Sequence, residues 1–388
     1  MSTDPNNGFV SGLEGVVAAQ TRLSHVDGQR GELILAGYAL EEVASTLSFE
    51  AMVHLLWYDR LPTSVEVIHL HSELARWRAL PPALLDLLQS AARTNRPAMD
   101  ALRMAAGAID LDLPASALDD GTLGHVLLAR IPTVVAAYWR LQQGAAPIAP
   151  DPALGHAANY LYMLTGSVPN AARVRGLETY LNTVIDHGLN ASTFTARVII
   201  ATRSDLVSAI TGAIGALKGP LHGGAPGPAL DMVFAIGEAT RAEAYLRAKL
   251  ETGERLMGFG HRIYKVRDPR AEVLAAAARD LYAADGDMAL YTLAGAVEET
   301  AVRLLAEFKP GRNLQTNVEF YTALLLHGLA LPTDLFAPTF AVGRVAGWIG
   351  HAWEQIATGR LIRPASQYIG ARGRSYEHAD VDRSHALS

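Results

Sequence analysis

FAPTFAVGRVAGWIGHAW, residues 336–353, reads as one long buried helix, because apolar and small residues fill every turn of a 3.6-residue period. The helix is expected to open at Thr333 and run to about Thr358, where Gly359 ends it. Gly343, Gly347 and Gly350 leave room for a neighbouring helix to approach closely. Arg344 is the only formal charge in the stretch. A buried guanidinium without a partner is very costly, so a carboxylate from the protein or from a ligand is expected beside it.

The same period recurs in both directions along the chain, and strand alternation is scarce. Ser48 precedes FEAMVHLLW, in which Phe49, Met52, Val53 and Leu56 fall at helical spacing. Residues from about Ser64 to Leu80 form another helix, punctuated by Pro81-Pro82. Asp205 heads LVSAITGAIGALK, which stops at Gly219-Pro220. Asp268-Pro269 pairs a capping carboxylate with proline at the first helical position. Loops are short apart from a Pro- and Ala-rich stretch near residues 145–153, and no internal repeat is present. The expected fold class is all-α, with roughly fifteen to twenty helices.

The 388 residues exceed a typical single domain, and half of them are hydrophobic, enough for a sizeable core. A net charge of -6 argues against a general nucleic-acid binder, so an anionic ligand must be held by local cations. There is no cysteine, which removes disulfides, thiolate metal sites and thiol nucleophiles together. The start, MSTDPNNGFV, lacks the features of a secretory or transit signal, and no apolar run approaches the roughly 18 residues that span a bilayer. A cytoplasmic protein, not bound to membrane, is expected.

Three further segments break local rules, as functional sites tend to do. KGPLHGGAPGP, residues 218–228, places His222 in a turn beside Gly223 and Gly224. Such a histidine can hydrogen-bond a ligand near neutral pH, although a simple helix-capping turn reads equally well. MGFGHRIYKVRDPRAEV, residues 257–273, sets His261 beside Gly260 and clusters Arg262, Lys265, Arg267 and Arg270. It is not a dinucleotide fingerprint, since Ile263 stands where the third glycine belongs. Arg270, in the first turn of a helix, opposes the helix dipole, and an anionic ligand would offset that; a solvated basic loop is the alternative. TNVEFYTALLLHGL, residues 316–329, puts Glu319 in the first turn after Asn317, where an acid is also ordinary. His69 and His71 face different sides of their helix, and no zinc, calcium or serine-hydrolase motif is present, so no metal site is expected.

In order, GPLHGG, GFGHRIYKVRDPRA, NVEFY, FAVGR and RP resemble the citrate synthase family, and the earlier blocks GLEGVVAAQTRLSHVDGQRGEL, SFEAMVHLLWYDRLPT and DHGLNASTF agree. The resemblance covers nearly the whole chain and fits the shorter prokaryotic type. It implies a large helical domain (1–223 and 329–388) with an inserted small helical domain (224–328) that close over the substrates. It implies a Claisen-type condensation of acetyl-coenzyme A with oxaloacetate, then thioester hydrolysis, without a metal or redox cofactor. His222 matches the histidine at the thioester carbonyl, His261 the one that polarises the oxaloacetate carbonyl, and Glu319 the base. His187, Arg270, Arg344 and Arg363 match oxaloacetate-binding residues, with Arg363 coming from the other subunit of a homodimer with shared sites. Gly258 and Lys265 are expected on the coenzyme A side.

Three departures stand out. Glu319 occupies the place of the family's usual Asp, and its extra methylene moves the carboxylate by on the order of 1 Å, a displacement that can cost roughly a hundredfold in rate. Pro226-Gly227 replaces the usual Asn-Glu, and Ala365 replaces a basic residue after RP. Two other readings therefore accompany the first: a 2-methylcitrate synthase using propionyl-coenzyme A, and a catalytically impaired ligand-binding or regulatory relative.

Overall fold

The computed structural model describes residues 9–222, 226–261 and 263–374. Gly223, Gly224 and Arg262 lie outside the described residues, as do residues 1–8 of the segment read for targeting signals. Sixteen α-helices occur among the described residues. The first half holds α1 (Leu40–Val43), α2 (Phe49–Tyr58), α3 (Ser64–Trp77), α4 (Pro82–Arg93), α5 (Ala98–Ala106), α6 (Asp120–Gln142), α7 (His156–Thr165) and α8 (Ala171–Val184). The second half holds α9 (Ala191–Ile200), α10 (Leu206–Leu217), α11 (Pro226–Ile236), α12 (Ala242–Glu251), α13 (Pro269–Asp285), α14 (Ala289–Phe308), α15 (Val318–Gly328) and α16 (Phe336–Thr358).

Side chains mark many of the starts. Ser48 accepts from Ala51 N, Thr63 and Glu66 form a reciprocal capping box, and Asp205 accepts from Ser208 N. Two boundaries differ from the sequence expectation. The helix from Ser64 stops at Trp77, and Pro82 opens the next helix at a position whose N–H would have no partner anyway. The long C-terminal helix begins at Phe336, after a separate 3-10 turn over Thr333–Leu335. A small antiparallel sheet adds to the helices: β1 (Ser24–Asp27), β2 (Glu32–Leu35) and β3 (Tyr38–Ala39), with Ser24 opposite Leu35 and Leu35 opposite Tyr38.

α16 lies at the centre, with Val342, Val345, Ala346, Trp348 and Ile349 buried. It packs on α6, α8, α9 and α10. Its glycines permit that approach: a Cβ on Gly347 would sit 2.2 Å from Ile185 O, and one on Gly343 2.8 Å from Val184 Cγ2. The chain leaving α8, residues 185–187, is thereby pressed against α16. Arg344, Trp348, His351 and Gln355 share one face of that helix by their spacing.

α13 packs on both α8 and α15. Ahead of it, the loop around His261 is tied to the start of α15 by the Phe259–Thr316 bridge and by Gly260 N donating to Gln315 O at 2.7 Å. Its far side rests on the β1–β2 turn, where Lys265 N donates to Gly28 O at 2.8 Å. A side chain at Gly28 is excluded there, since its Cβ would lie 2.3 Å from Ile263 O.

Candidate active site

The peptide N–H groups of Ile263 and Tyr264 both donate to His261 Nδ1, at 3.1 and 3.0 Å. A backbone N–H can only donate, so Nδ1 carries the lone pair and the proton of the neutral ring sits on Nε2. Burial, and then the charge of Arg270, hold this histidine down to about 4. It is therefore neutral near pH 7. Arg270 Nη2 lies 3.4 Å from His261 Nε2, and because both atoms are donors, they present a shared position for an acceptor.

His222 is oriented in the same manner from another element. Its Nε2 faces Ser192 Oγ at 2.7 Å and receives Ser192 N–H at 3.4 Å, which leaves the proton on Nδ1. Ser192 Oγ is itself held by Trp348 Nε1, donating at 3.0 Å from α16. Burial, with Arg344 second, lowers His222 to about 4. His187 is buried, with Nε2 3.1 Å from the Tyr264 hydroxyl and its ring edge-on to His261 at 6.0 Å. Burial and then the charges of Arg270 and Arg344 push it well below the ordinary histidine range.

The two arginines differ in how their charge is met. Asp268, the N-cap of α13, accepts from Arg270 N and Nε at 3.0 Å each and from Nη2 at 2.8 Å. The cation that sequence reasoning left to a ligand thus already has a protein carboxylate, which outweighs burial and raises its pKa. Arg344 is buried, yet its Nε donates only to the Val184 carbonyl at 2.5 Å, and its Cζ lies 4.5 Å over the Phe340 ring. Among the described residues it forms no ion pair, and burial, opposed chiefly by Asp186, lowers its pKa to about 10. Its expected carboxylate partner is left for a ligand to supply.

Glu319 sits in the first turn of α15, where Asn317 Oδ1 accepts its N–H at 2.9 Å. Its carboxylate makes no hydrogen bond to a described residue. Burial raises its pKa, and Arg270 opposes that rise. His187, His222, His261, Arg270, Arg344 and Glu319 are thereby linked through contacts and mutual fields. Neutral N–H donors, an under-partnered guanidinium and a weakly basic carboxylate together suit an anionic substrate that loses a carbon-bound proton.

Arg363 is not brought to this site in its own chain, because it lies exposed on the irregular segment after α16. Gly258 has φ +86, and a Cβ there would meet Phe320 Cβ at 2.9 Å, so it keeps the loop close to α15. Lys265 is placed by its backbone bond to Gly28. No group of three or more potential metal-ligating side chains occurs among the described residues. No helix among them is long and apolar enough to cross a membrane.

Sequence reading did not assign Asp186, Ser192, Tyr264 or Trp348 to the site, and it read Asp268 only as a helix cap. Asp186 accepts from Ser24 Oγ at 2.5 Å and from His351 Nε2 at 3.1 Å, a buried set that anchors the residue before His187. Tyr264 and Asp268 stood inside the quoted basic segment. A polar residue within seven positions of His187 or His261 is the signal that would have found Asp186, Ser192, Tyr264 and Asp268, and no such signal marks Trp348.

A family model described as citrate synthase, C-terminal domain, matches residues 12–365. The chain is 40% identical over 377 residues to a citrate synthase of Haloferax volcanii, covering 95% of this chain and 98% of that one. It is 37% identical over 386 residues to 2-methylcitrate synthase 2 of Corynebacterium glutamicum, covering 96% and 98%. Its fold matches, with a TM-score of 0.85 and 27% identity over 94% of this chain and 97% of the other, the Thermoplasma acidophilum citrate synthase in ternary complex with carboxymethyl coenzyme A and oxaloacetate. The mostly helical architecture built around α16, the ordered motifs and these likenesses agree, and the chain belongs to the citrate synthase family.

Proposed function

We propose that this protein condenses acetyl-coenzyme A with oxaloacetate and hydrolyses the resulting thioester, giving citrate and free coenzyme A. The observation that carries the reading is the pair of neutral histidines, His222 and His261, each with its tautomer set by backbone N–H groups, beside Arg344 and Glu319. Glu319 takes a proton from the acyl methyl group. His222 Nδ1–H donates to the thioester oxygen as negative charge collects there. The enolate carbon attacks the oxo carbon, whose oxygen is polarised by His261 Nε2–H and Arg270. Arg344 receives a substrate carboxylate, as its planar fork suits. Water then cleaves the acyl thioester and coenzyme A leaves as the thiol. None of these steps calls on a metal.

The reading includes closure of residues 224–328 over the rest of the chain, which would exclude water during the carbon–carbon step. It places Gly258 and Lys265 on the coenzyme A side, and it includes a homodimer in which Arg363 serves the partner's site. A second reading, with propionyl-coenzyme A as donor, is favoured by the likeness to the Corynebacterium glutamicum 2-methylcitrate synthase. One methylene changes discrimination by only about 1–3 kcal/mol, so kinetics must decide. The test is kcat/KM for thiol release from each donor, with and without oxaloacetate. Acetyl preference is expected; propionyl preference would select the second reading. Thiol release that does not require oxaloacetate would overturn both, and oxaloacetate binding without turnover would leave an impaired relative.

A further inference from the structure

We propose that Gln355 is a positioning residue for Arg363, clamping the segment that leaves α16 so that Arg363 enters the active site of a second copy of the chain. The inference rests on the reading that Arg363 serves the partner's site.

The clamp joins buried Gln355 and Arg197 to the exposed chain at Gly359 and Arg360. Gln355 Nε2 donates to Arg360 O at 3.0 Å, and its Oε1 accepts from Arg197 Nη1 at 3.1 Å. Its backbone carbonyl accepts from Gly359 N at 2.9 Å, closing the helix end. The side-chain amide lies against Gly359, where a Cβ would fall 1.9 Å from Gln355 Nε2 and 2.5 Å from its carbonyl oxygen. Gly359 adopts ordinary extended backbone (φ -85, ψ 159), so glycine is demanded here by space and not by conformation.

Behind Gln355 stands a continuous polar chain. Arg197 Nε and Nη2 both donate to His351 Nδ1, at 3.0 and 2.9 Å, which leaves the His351 proton on Nε2, facing Asp186 Oδ1 at 3.1 Å. Arg197 also pairs with Glu354. Asp186 precedes His187, so the direction of the departing segment and the floor of the active site are set by one buried network. Arg363 lies three residues beyond the clamped Arg360 carbonyl, within roughly 10 Å of extended chain. The segment that carries it exposes Leu361, Tyr368 and Ile369, the last 92% exposed, an apolar face suited to cover by a second copy.

Mixed dimers test this. A wild-type chain is paired with a His222→Ala/Gln355→Ala chain, so that only the site using wild-type His222 turns over while its Arg363 comes from the doubly substituted chain. KM for oxaloacetate should rise on the order of tenfold in this pairing, with kcat close to that of wild type paired with His222→Ala. In the converse pairing, Gln355→Ala with His222→Ala, KM should match the control. An effect confined to the converse pairing, or absent from both, overturns the inference. Gly359→Ala, placed in the same pairings, should act in the same direction and provides a second route if Gln355→Ala does not assemble. Arg363→Ala in the first pairing separates the two levels. Should it leave KM unchanged, the shared-site reading falls and the clamp with it. Should it raise KM while Gln355→Ala and Gly359→Ala do not, only the clamp falls.

Discussion

Replacing Glu319 by Asp withdraws the proposed base by one methylene, and the surrounding structure determines whether the backbone can follow. It is pinned on three sides. Asn317 N donates to Gly258 O at 2.9 Å, Asn317 Nδ2 donates to Gly260 O at 2.8 Å, and Val318 N donates to Asp268 Oδ2 at 3.2 Å. Phe320, the next residue of the helix, is buried and packed against Gly258. In Glu319→Asp the carboxylate would therefore retreat by on the order of 1 Å, and a misplacement of that size costs roughly a hundredfold in rate. That factor corresponds to about 2.7 kcal/mol of barrier. Arg270, Arg344 and His187 are untouched, so KM for oxaloacetate should stay within about twofold while kcat falls, the pattern of an interaction made only in the transition state. The assay is thiol release from acetyl-coenzyme A at saturating oxaloacetate, with Glu319→Gln as the companion variant. The Gln form should abolish turnover and still bind oxaloacetate by calorimetry. An Asp variant as fast as wild type, or a Gln variant that retains activity, would refute the assignment of Glu319 as a base positioned by a rigid segment.

Two other outcomes follow from the electrostatics. Glu319 must be ionised to act, and burial raises its pKa above the ordinary carboxylate value, so kcat/KM should fall as pH drops through that raised value. His222 and His261, held near 4, stay neutral above it; an acid limb near 6.5 that disappears with either histidine would contradict their neutrality. Asp268→Asn should leave the buried Arg270 without its counter-charge at a cost of about 3–5 kcal/mol in urea unfolding, and a loss under about 1 kcal/mol would show that Asp268 is not its main partner.

Much of the candidate site was legible because several of its elements violated a local preference. A lone arginine in an apolar helix, a histidine in a glycine turn and a cation at a helix start each implied an unmet partner. The glycines of α16 were readable as packing positions, and Gly347 against Ile185 O is the contact they anticipated. The β1–β2–β3 sheet was not legible, since strands of four, four and two residues are too short to establish alternation. Asp268 shows a different limit. Sequence identified it as a cap, but only the turn geometry let one carboxylate hold both the N–H and the guanidinium of the residue two positions later.

By itself the sequence determined the helical class, the positions of many helix starts and the residue types that the chemistry needs, because periodicity and capping are local properties of the chain. Tertiary structure decided which way each histidine presents its proton, because His222 depends on Ser192, thirty residues away, and Ser192 on Trp348. It also decided that Arg270 is paired while Arg344 is not, and that Gln355 closes over Gly359. Partnership in a buried site is a matter of a few ångströms, and spacing along the chain does not encode that distance.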